Sequence, residues 1–234
     1  MLSRYDLSDS CGVVHNAVVT GLADSVRRAK FPMAVDTEEL TCDLTDGIIS
    51  IAQASPGSGH DQWLTGVNVQ FDLTFSVKAW TEFERYNFAY FVSSQSTMHR
   101  ITKFALDKPG MYSQYTDHRM IEIMQELVNT YNESEAAANR YKTNCDRLKK
   151  DGESFDAYSE EIYKSLIQKM KEDYLRVLYS NPCGFRLTAG ITTNYRQLKT
   201  MYAQRKHHRL PEWREFCRWI ESLPCSELIT GGKG

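Results

Sequence analysis

The chain has 234 residues, a formal charge of -2, and 41% hydrophobic against 25% charged residues, the balance of a globular protein with one sizeable domain. Near neutrality excludes an overall pull toward nucleic acid or anionic lipid, and no run approaches the roughly 18 apolar residues of a membrane-spanning helix. The opening MLSRYDLSDS carries no signal-type apolar run and the six cysteines show no C-x-x-C spacing, so a cytoplasmic protein without a metal site is expected.

CGVVHNAVVT is apolar and β-branched enough to form a strand. GLADSVRRAKF then reads as a helix with Leu22, Val26 and Ala29 on one side. TDGIISIAQAS predicts a short helix capped by Thr45 or Asp46 and stopped by SPGSGH. In VNVQFDLTFSV, Val67, Val69, Phe71, Leu73, Phe75 and Val77 alternate with polar residues. Alternation gives the strand one core face and one wet face, which favours an antiparallel or mixed sheet over a doubly wound parallel one.

An aromatic helix is expected from Ala79 to Phe91, with a strand starting after Arg100. Two long helices come next, from about Arg119 to Leu148 and from about Ser154 to Tyr179, with a turn at Gly152. RLTAGITT reads as a strand, Asn194 to Arg209 as a helix, and Pro211 to Leu223 as a final helix opened by its proline. The order predicts an α+β fold, one sheet packed by helices, in a single domain over 1–234 that includes the helical segment 119–179.

At about 3.6 residues per turn, Tyr195, Leu198, Met201 and Tyr202 form one apolar arc of the penultimate helix, and Arg205 falls inside it. Either its stem lies on the core with the guanidinium in water, or it is held under cover to meet an anion or a carbonyl-rich base. Lys206, His207, His208 and Arg209 add positive charge at the helix end, where the dipole favours it. Nucleic-acid binding is not expected, since no basic, aromatic-interleaved stripe extends beyond this tract.

SSQSTMHRITKF places Gln95, His99 and Arg100 within six residues. Read with GHDQW around His60, LRVLYSNP with Arg176, NYRQLKTMYAQR and PEWREF, the chain resembles the flavin-dependent thymidylate synthases (ThyX type). The family's Arg-His-Arg turn follows a Gln by two residues, its Gly-His-Glu-Thr-Pro segment precedes an alternating strand, and its Asn-x-Arg-x-Leu helix ends in Arg. The blocks occur here in the family's order.

The resemblance implies FAD as cofactor, with NADPH and methylenetetrahydrofolate as co-substrates, in a homotetramer with shared sites. It implies flavin contacts for His99, Arg100, Asn194 and Arg196, with His60 over the flavin or folate region. Gln95, Arg176 and Arg205 would bind a pyrimidine nucleotide, and Arg176 and Arg205 would be catalytic through charge. Uracil C5 becomes nucleophilic only when charge developing on the ring oxygens is stabilised by placed donors. The expected reaction is C5 methylation, most simply dUMP to dTMP. Met98, Lys103, Ala105, Leu106 and Met111 depart from the family pattern, mainly at phosphate contacts. Alternatives are therefore hydroxymethylation or another nucleotide substrate, and a non-catalytic nucleotide-binding descendant.

Overall fold

A computed structural model of the protein describes residues 1–7, 12–55, 57–150 and 157–231. Strands β1 (Arg4–Leu7) and β2 (Val14–Thr20) lead into helices α1 (Leu22–Ala29) and α2 (Asp46–Ala52). Strand β3 (Asn68–Ser76), helix α3 (Val77–Phe83) and strand β4 (Tyr90–Ser94) come after them. Next are the short α4 (Thr97–Arg100) and the long α5 (His118–Lys150) and α6 (Ala157–Ser180). Strand β5 (Arg186–Asn194) precedes α7 (Tyr195–Arg205), α8 (Pro211–Glu221) and α9 (Glu227–Thr230). These elements group into two compact units: Met1–Ser94 with Leu187–Gly234, and Gln95–Arg186.

In the first unit the sheet order is β1-β2-β3-β5-β4. Both β1–β2 and β2–β3 pair antiparallel, as do β5 and β4. At one end of the β3–β5 seam the Tyr195 amide donates to the Val67 carbonyl; at the other the Thr74 and Thr188 hydroxyls meet at 2.7 Å. Those two β strands therefore also run in opposite directions, and the architecture is α+β with an antiparallel sheet.

The alternation of β3 is realised. Val69, Phe71, Leu73 and Phe75 are buried while Asn68 and Gln70 are exposed. Helix α8 covers that apolar face: Trp219 lies 4.7 Å from Phe71 and Trp213 lies 5.0 Å from Phe75, centroid to centroid. Burying such large rings supplies most of the driving force for closing this layer. Pro211 occupies the first turn of α8, where a missing N–H costs nothing. The Thr45 hydroxyl accepts from the Ile48 amide and caps α2. Gly21 enters α1 at φ 77°, and a Cβ there would collide with the Gly66 carbonyl oxygen, so only glycine fits.

Three expectations are corrected. The aromatic helix stops at Phe83, because Tyr90 to Ser94 pair with β5 as an edge strand, opposite Thr192 to Ala189. Trp80 and Phe83 are core, but all five residues of β4 are exposed. The strand expected after Arg100 is a 3-10 turn, Ile101–Lys103. Helix α7 ends at Arg205 rather than Arg209. The turn expected at Gly152 lies outside the described residues.

The second unit is dominated by α5 and α6. Buried Met124, Tyr131, Ala138 and Cys145 recur every seven residues along α5, joined by Val128 and Ser134, a coiled-coil-like seam. Tyr131 meets Tyr174 at one level and Tyr141 meets Tyr163 at another, so the helices are antiparallel. Midway along, Asp173, with 1% of its side chain exposed, accepts from Ser134 Oγ at 2.6 Å and Lys169 Nζ at 2.7 Å. Among the described residues no helix is long and apolar enough to cross a membrane.

Candidate ligand cleft

The turn from β5 into α7 builds the most developed site. Asn194 leaves the strand with extended backbone and its Oδ1 accepts from the Gln197 amide at 2.9 Å, satisfying one of the orphan N–H groups of the first helical turn. With Tyr195, Leu198 and Met201 buried against the core, the helical period puts Arg196 and Lys199 together on another side. Both reach Asp61. Arg196 Nε donates to Asp61 Oδ1 at 3.1 Å and Lys199 Nζ to Oδ2 at 2.9 Å.

Lys199 also donates to the carbonyls of Ala52 and Ala54, at 2.7 and 2.9 Å. Its three ammonium hydrogens thus have three acceptors, and the end of α2 is tied down where the dipole is negative. Asp61 has 5% of its side chain exposed. Burial works against its charge, but the Lys199 hydrogen bond and the charges of Lys199 and Arg196 outweigh it, holding the carboxyl below the usual carboxylate range.

Beside this clamp lies a cleft of about 470 Å³, lined among others by Gln62, Phe88, Asn194, Arg196 and Gln204. Three of its amide side chains are oriented alike. Gln62 Oε1 accepts from Arg196 Nη1 at 2.7 Å, Asn194 Oδ1 from the Gln197 amide, and Gln204 Oε1 from the Tyr86 hydroxyl at 2.9 Å. Each partner donates, so each amide oxygen is fixed inward and each amide nitrogen is left without an acceptor among the described residues. The same holds for Arg196 Nη2. These amides and Arg196 keep donors in reserve, beside the Thr65 and Thr200 hydroxyls, whose hydrogens go to backbone carbonyls.

Arg205 stands behind this wall rather than in it. Its Nε donates to the Tyr86 hydroxyl at 2.7 Å, and that hydroxyl donates to Gln204. Its Nη1 donates to Glu82 Oε2 at 2.7 Å, and the guanidinium lies 4.8 Å above the Trp213 ring. With 13% of its side chain exposed, it is turned inward, and an internal carboxylate occupies part of its fork. Burial raises the Tyr86 hydroxyl above its ordinary range, against the opposing Arg205 hydrogen bond, so it stays protonated and able to donate. His208 Nε2 lies 3.0 Å from Glu82, and His208 Nδ1 accepts from the Leu210 amide.

Of the residues singled out in the sequence, Asn194 and Arg196 share the cleft. The His60 side chain is exposed, one residue from Asp61. In the second unit, His99 on α4 lines a separate open cleft of about 600 Å³ with Lys103, Tyr131, Glu135 and Tyr174. Gln95 and Arg100 are both exposed at the start of that unit. Arg176 is also exposed, with Nη1 donating to Asp173 Oδ1 at 2.8 Å. Sequence reasoning missed Asp61, Glu82 and Lys199. The one available signal was the i,i+3 spacing of Arg196 and Lys199.

No family model and no curated protein matches the sequence. Solved structures do. The chain superposes on the flavin-dependent thymidylate synthase ThyX of Helicobacter pylori, complexed with FAD and dUMP, with TM-score 0.50 and 15% identity over 91% of this chain and 94% of that one. The fold is ThyX-like. A second structure of ThyX from Helicobacter pylori, also with FAD and dUMP, gives TM-score 0.50 at 13% identity, covering 91% and 93% of the two chains. The UMP/dUMP methylase PolB of Streptomyces cacaoi, bound with 5-Br dUMP, aligns at TM-score 0.48 and 13% identity over 94% of each chain. The ThyX-like fold spans nearly the whole of this chain.

Proposed function

We propose that the protein is a flavin-dependent enzyme that modifies a pyrimidine nucleotide at C5, most simply dUMP to dTMP with methylenetetrahydrofolate as carbon donor and NADPH as reductant. The observation that carries this reading is the donor-rich cleft at the start of α7, on a ThyX-like fold. FAD fits it chemically. The dione edge of its ring system and its phosphates are rich in acceptor oxygens, which Arg196 and the amide nitrogens of Gln62, Asn194 and Gln204 complement. A volume near 470 Å³ falls in the ordinary small-molecule range of about 300–1,000 Å³. When bound, the flavin supplies the redox chemistry.

Asn194 and Arg196 would hold the cofactor and His60 would stand at the rim; flavin roles for His99 and Arg100 rest on the family resemblance alone. Nucleotide roles for Gln95, Arg176 and Arg205, with Arg176 and Arg205 acting through charge, likewise rest on the resemblance alone. The donors would stabilise negative charge as it develops on the ring oxygens, the requirement for a nucleophilic C5. Five exposed residues on edge strand β4, Tyr90, Phe91 and Val92 among them, support assembly as a homotetramer, since an apolar edge strand tends to acquire a partner.

Titration of purified protein with FAD, followed by visible absorbance, tests the reading; the expected result is saturable uptake, and a protein that stays colourless refutes it. Turnover of dUMP with methylenetetrahydrofolate and NADPH then tests the reaction. A second reading, a non-catalytic nucleotide-binding descendant, draws on Glu82 occupying part of the Arg205 fork and on Met98 and Met111 at positions where charge is expected. Product formation from dUMP would dismiss it.

A further inference from the structure

The flavin reading of the cleft leaves open how a half-exposed arginine comes to be aimed. Arg196 has 35% of its side chain exposed, and a flexible cation in that setting ordinarily samples many rotamers. Here its inner edge is taken. Asp61 accepts Nε–H and Gln62 accepts Nη1–H, which leaves Nη2 and the outer hydrogen of Nη1. Asp61 is itself immobile, because its second oxygen is held by Lys199, whose remaining hydrogens bind the carbonyls that end α2. A buried carboxylate in this position fixes the guanidinium plane before any ligand arrives, so the ordering cost is met on folding rather than on binding.

Asp61 also sets the charge. Arg196 and Lys199 alone would give the cleft wall two positive charges; with Asp61 the sum is a single positive charge. That suits a ligand group offering carbonyl or singly charged oxygens. Resting on the flavin reading for the nature of that ligand, we infer that Asp61, at the wall of the cleft, is its positioning residue, acting on an oxygen-rich ligand through Arg196.

The full-length ¹⁵N-labelled protein tests this by nuclear magnetic resonance of the Arg196 Nε–H group, assigned by its disappearance in Arg196→Lys. In the wild type the cross-peak is expected to be sharp, with hydrogen exchange at least about tenfold slower than that of surface arginines. In Asp61→Asn exchange should accelerate by a similar factor while the backbone amide pattern is kept. Wild-type exchange as fast as at the surface overturns the inference without any variant being needed, and so does exchange unchanged in Asp61→Asn. Should that variant fail to fold, Asp61→Glu, which displaces the carboxylate by one methylene, is read the same way.

Titration with FAD supplies the second arm. Asp61→Asn and Arg196→Ala should each weaken binding about tenfold or more, and the double variant should bind no more weakly than Arg196→Ala, because one residue acts through the other. Additive losses overturn the inference. If the wild type binds no FAD, the flavin reading falls, and the exchange measurement still decides whether Asp61 aims Arg196.

Discussion

Arg205 and Glu82 form a nearly dry ion pair, Nη1 to Oε2 at 2.7 Å, with 13% and 15% of their side chains exposed. Lys78 and His208 also approach Glu82, at 3.5 and 3.0 Å, and Trp213 covers the guanidinium. This cluster staples α3 to the α7–α8 turn.

Removing one member of such a pair leaves the other desolvated and uncompensated. Glu82→Gln is therefore expected to lower the unfolding free energy by about 2–4 kcal/mol. The double variant Glu82→Gln/Arg205→Met should be less destabilised than Glu82→Gln alone, because it buries no orphan charge. Urea denaturation of the three proteins checks the order.

The same cluster predicts a pH dependence. Burial lowers the His208 pKa, Glu82 opposes the change, and the charges of Arg205 and Arg214 add to it. The folded state therefore binds fewer protons than the unfolded state around and below the usual histidine value of about 6.5. Stability is full above that value and falls as pH drops through the window beneath it. The denaturation midpoint should decline from about pH 7.5 to 5.5, and His208→Gln should flatten that slope. Asp61 and Asp173, both held below the carboxylate range, add their own loss only below about pH 4. A wild-type midpoint that stays level across the histidine window contradicts the assignment.

Asn194 is given two jobs, and one substitution separates them. Asn194→Ala removes both the cap and the amide donor, costing about 1 kcal/mol of stability together with ligand affinity. Asn194→Asp keeps an oxygen for the Gln197 amide and exchanges the donor for a carboxylate. Thermal melts should place Asn194→Asp near the wild type while FAD titration places it near Asn194→Ala. Equal FAD affinity in the wild type and Asn194→Asp would show that the residue serves α7 alone.

In the helical unit, the Ser134–Asp173–Lys169 pin interrupts an otherwise apolar seam. Ser134→Ala is expected to cost about 1 kcal/mol, the net worth of one hydrogen bond. Asp173→Leu, which leaves Lys169 and Arg176 free to turn into water, should cost little in stability while loosening the register of α5 on α6. Hydrogen exchange along α5 would report the second effect, and unchanged protection there would argue that the apolar heptad positions suffice.

What is legible in the sequence is what depends on near neighbours in the chain. Alternation in β3, the Thr45 cap, Pro211 opening α8 and the apolar arc of α7 come from local period and local hydrogen bonding. Strand β4 escapes such a reading because Trp80, Phe83, Tyr86 and Tyr90 suit a helix by spacing, and only pairing with β5 shows where the helix stops. The helical wheel places Arg205 against the core but cannot supply Glu82, and it assigns Lys199 to a polar side without showing that this side is closed. Asp61 lies far from both cations in sequence, so nothing near it announces a clamp. The resemblance to ThyX anticipates the fold, whereas the carboxylates that hold Arg196 and Arg205 emerge only in three dimensions.

Lys199 has all three ammonium hydrogens bound inside the fold and 16% of its side chain exposed. A protonated, engaged amine is a poor nucleophile, so amine-reactive acylating reagents should label the surface lysines at once and reach Lys199 only when α7 detaches from Asp61. Its rate of labelling, read by peptide mass spectrometry, becomes a built-in clock for the opening of the cleft wall.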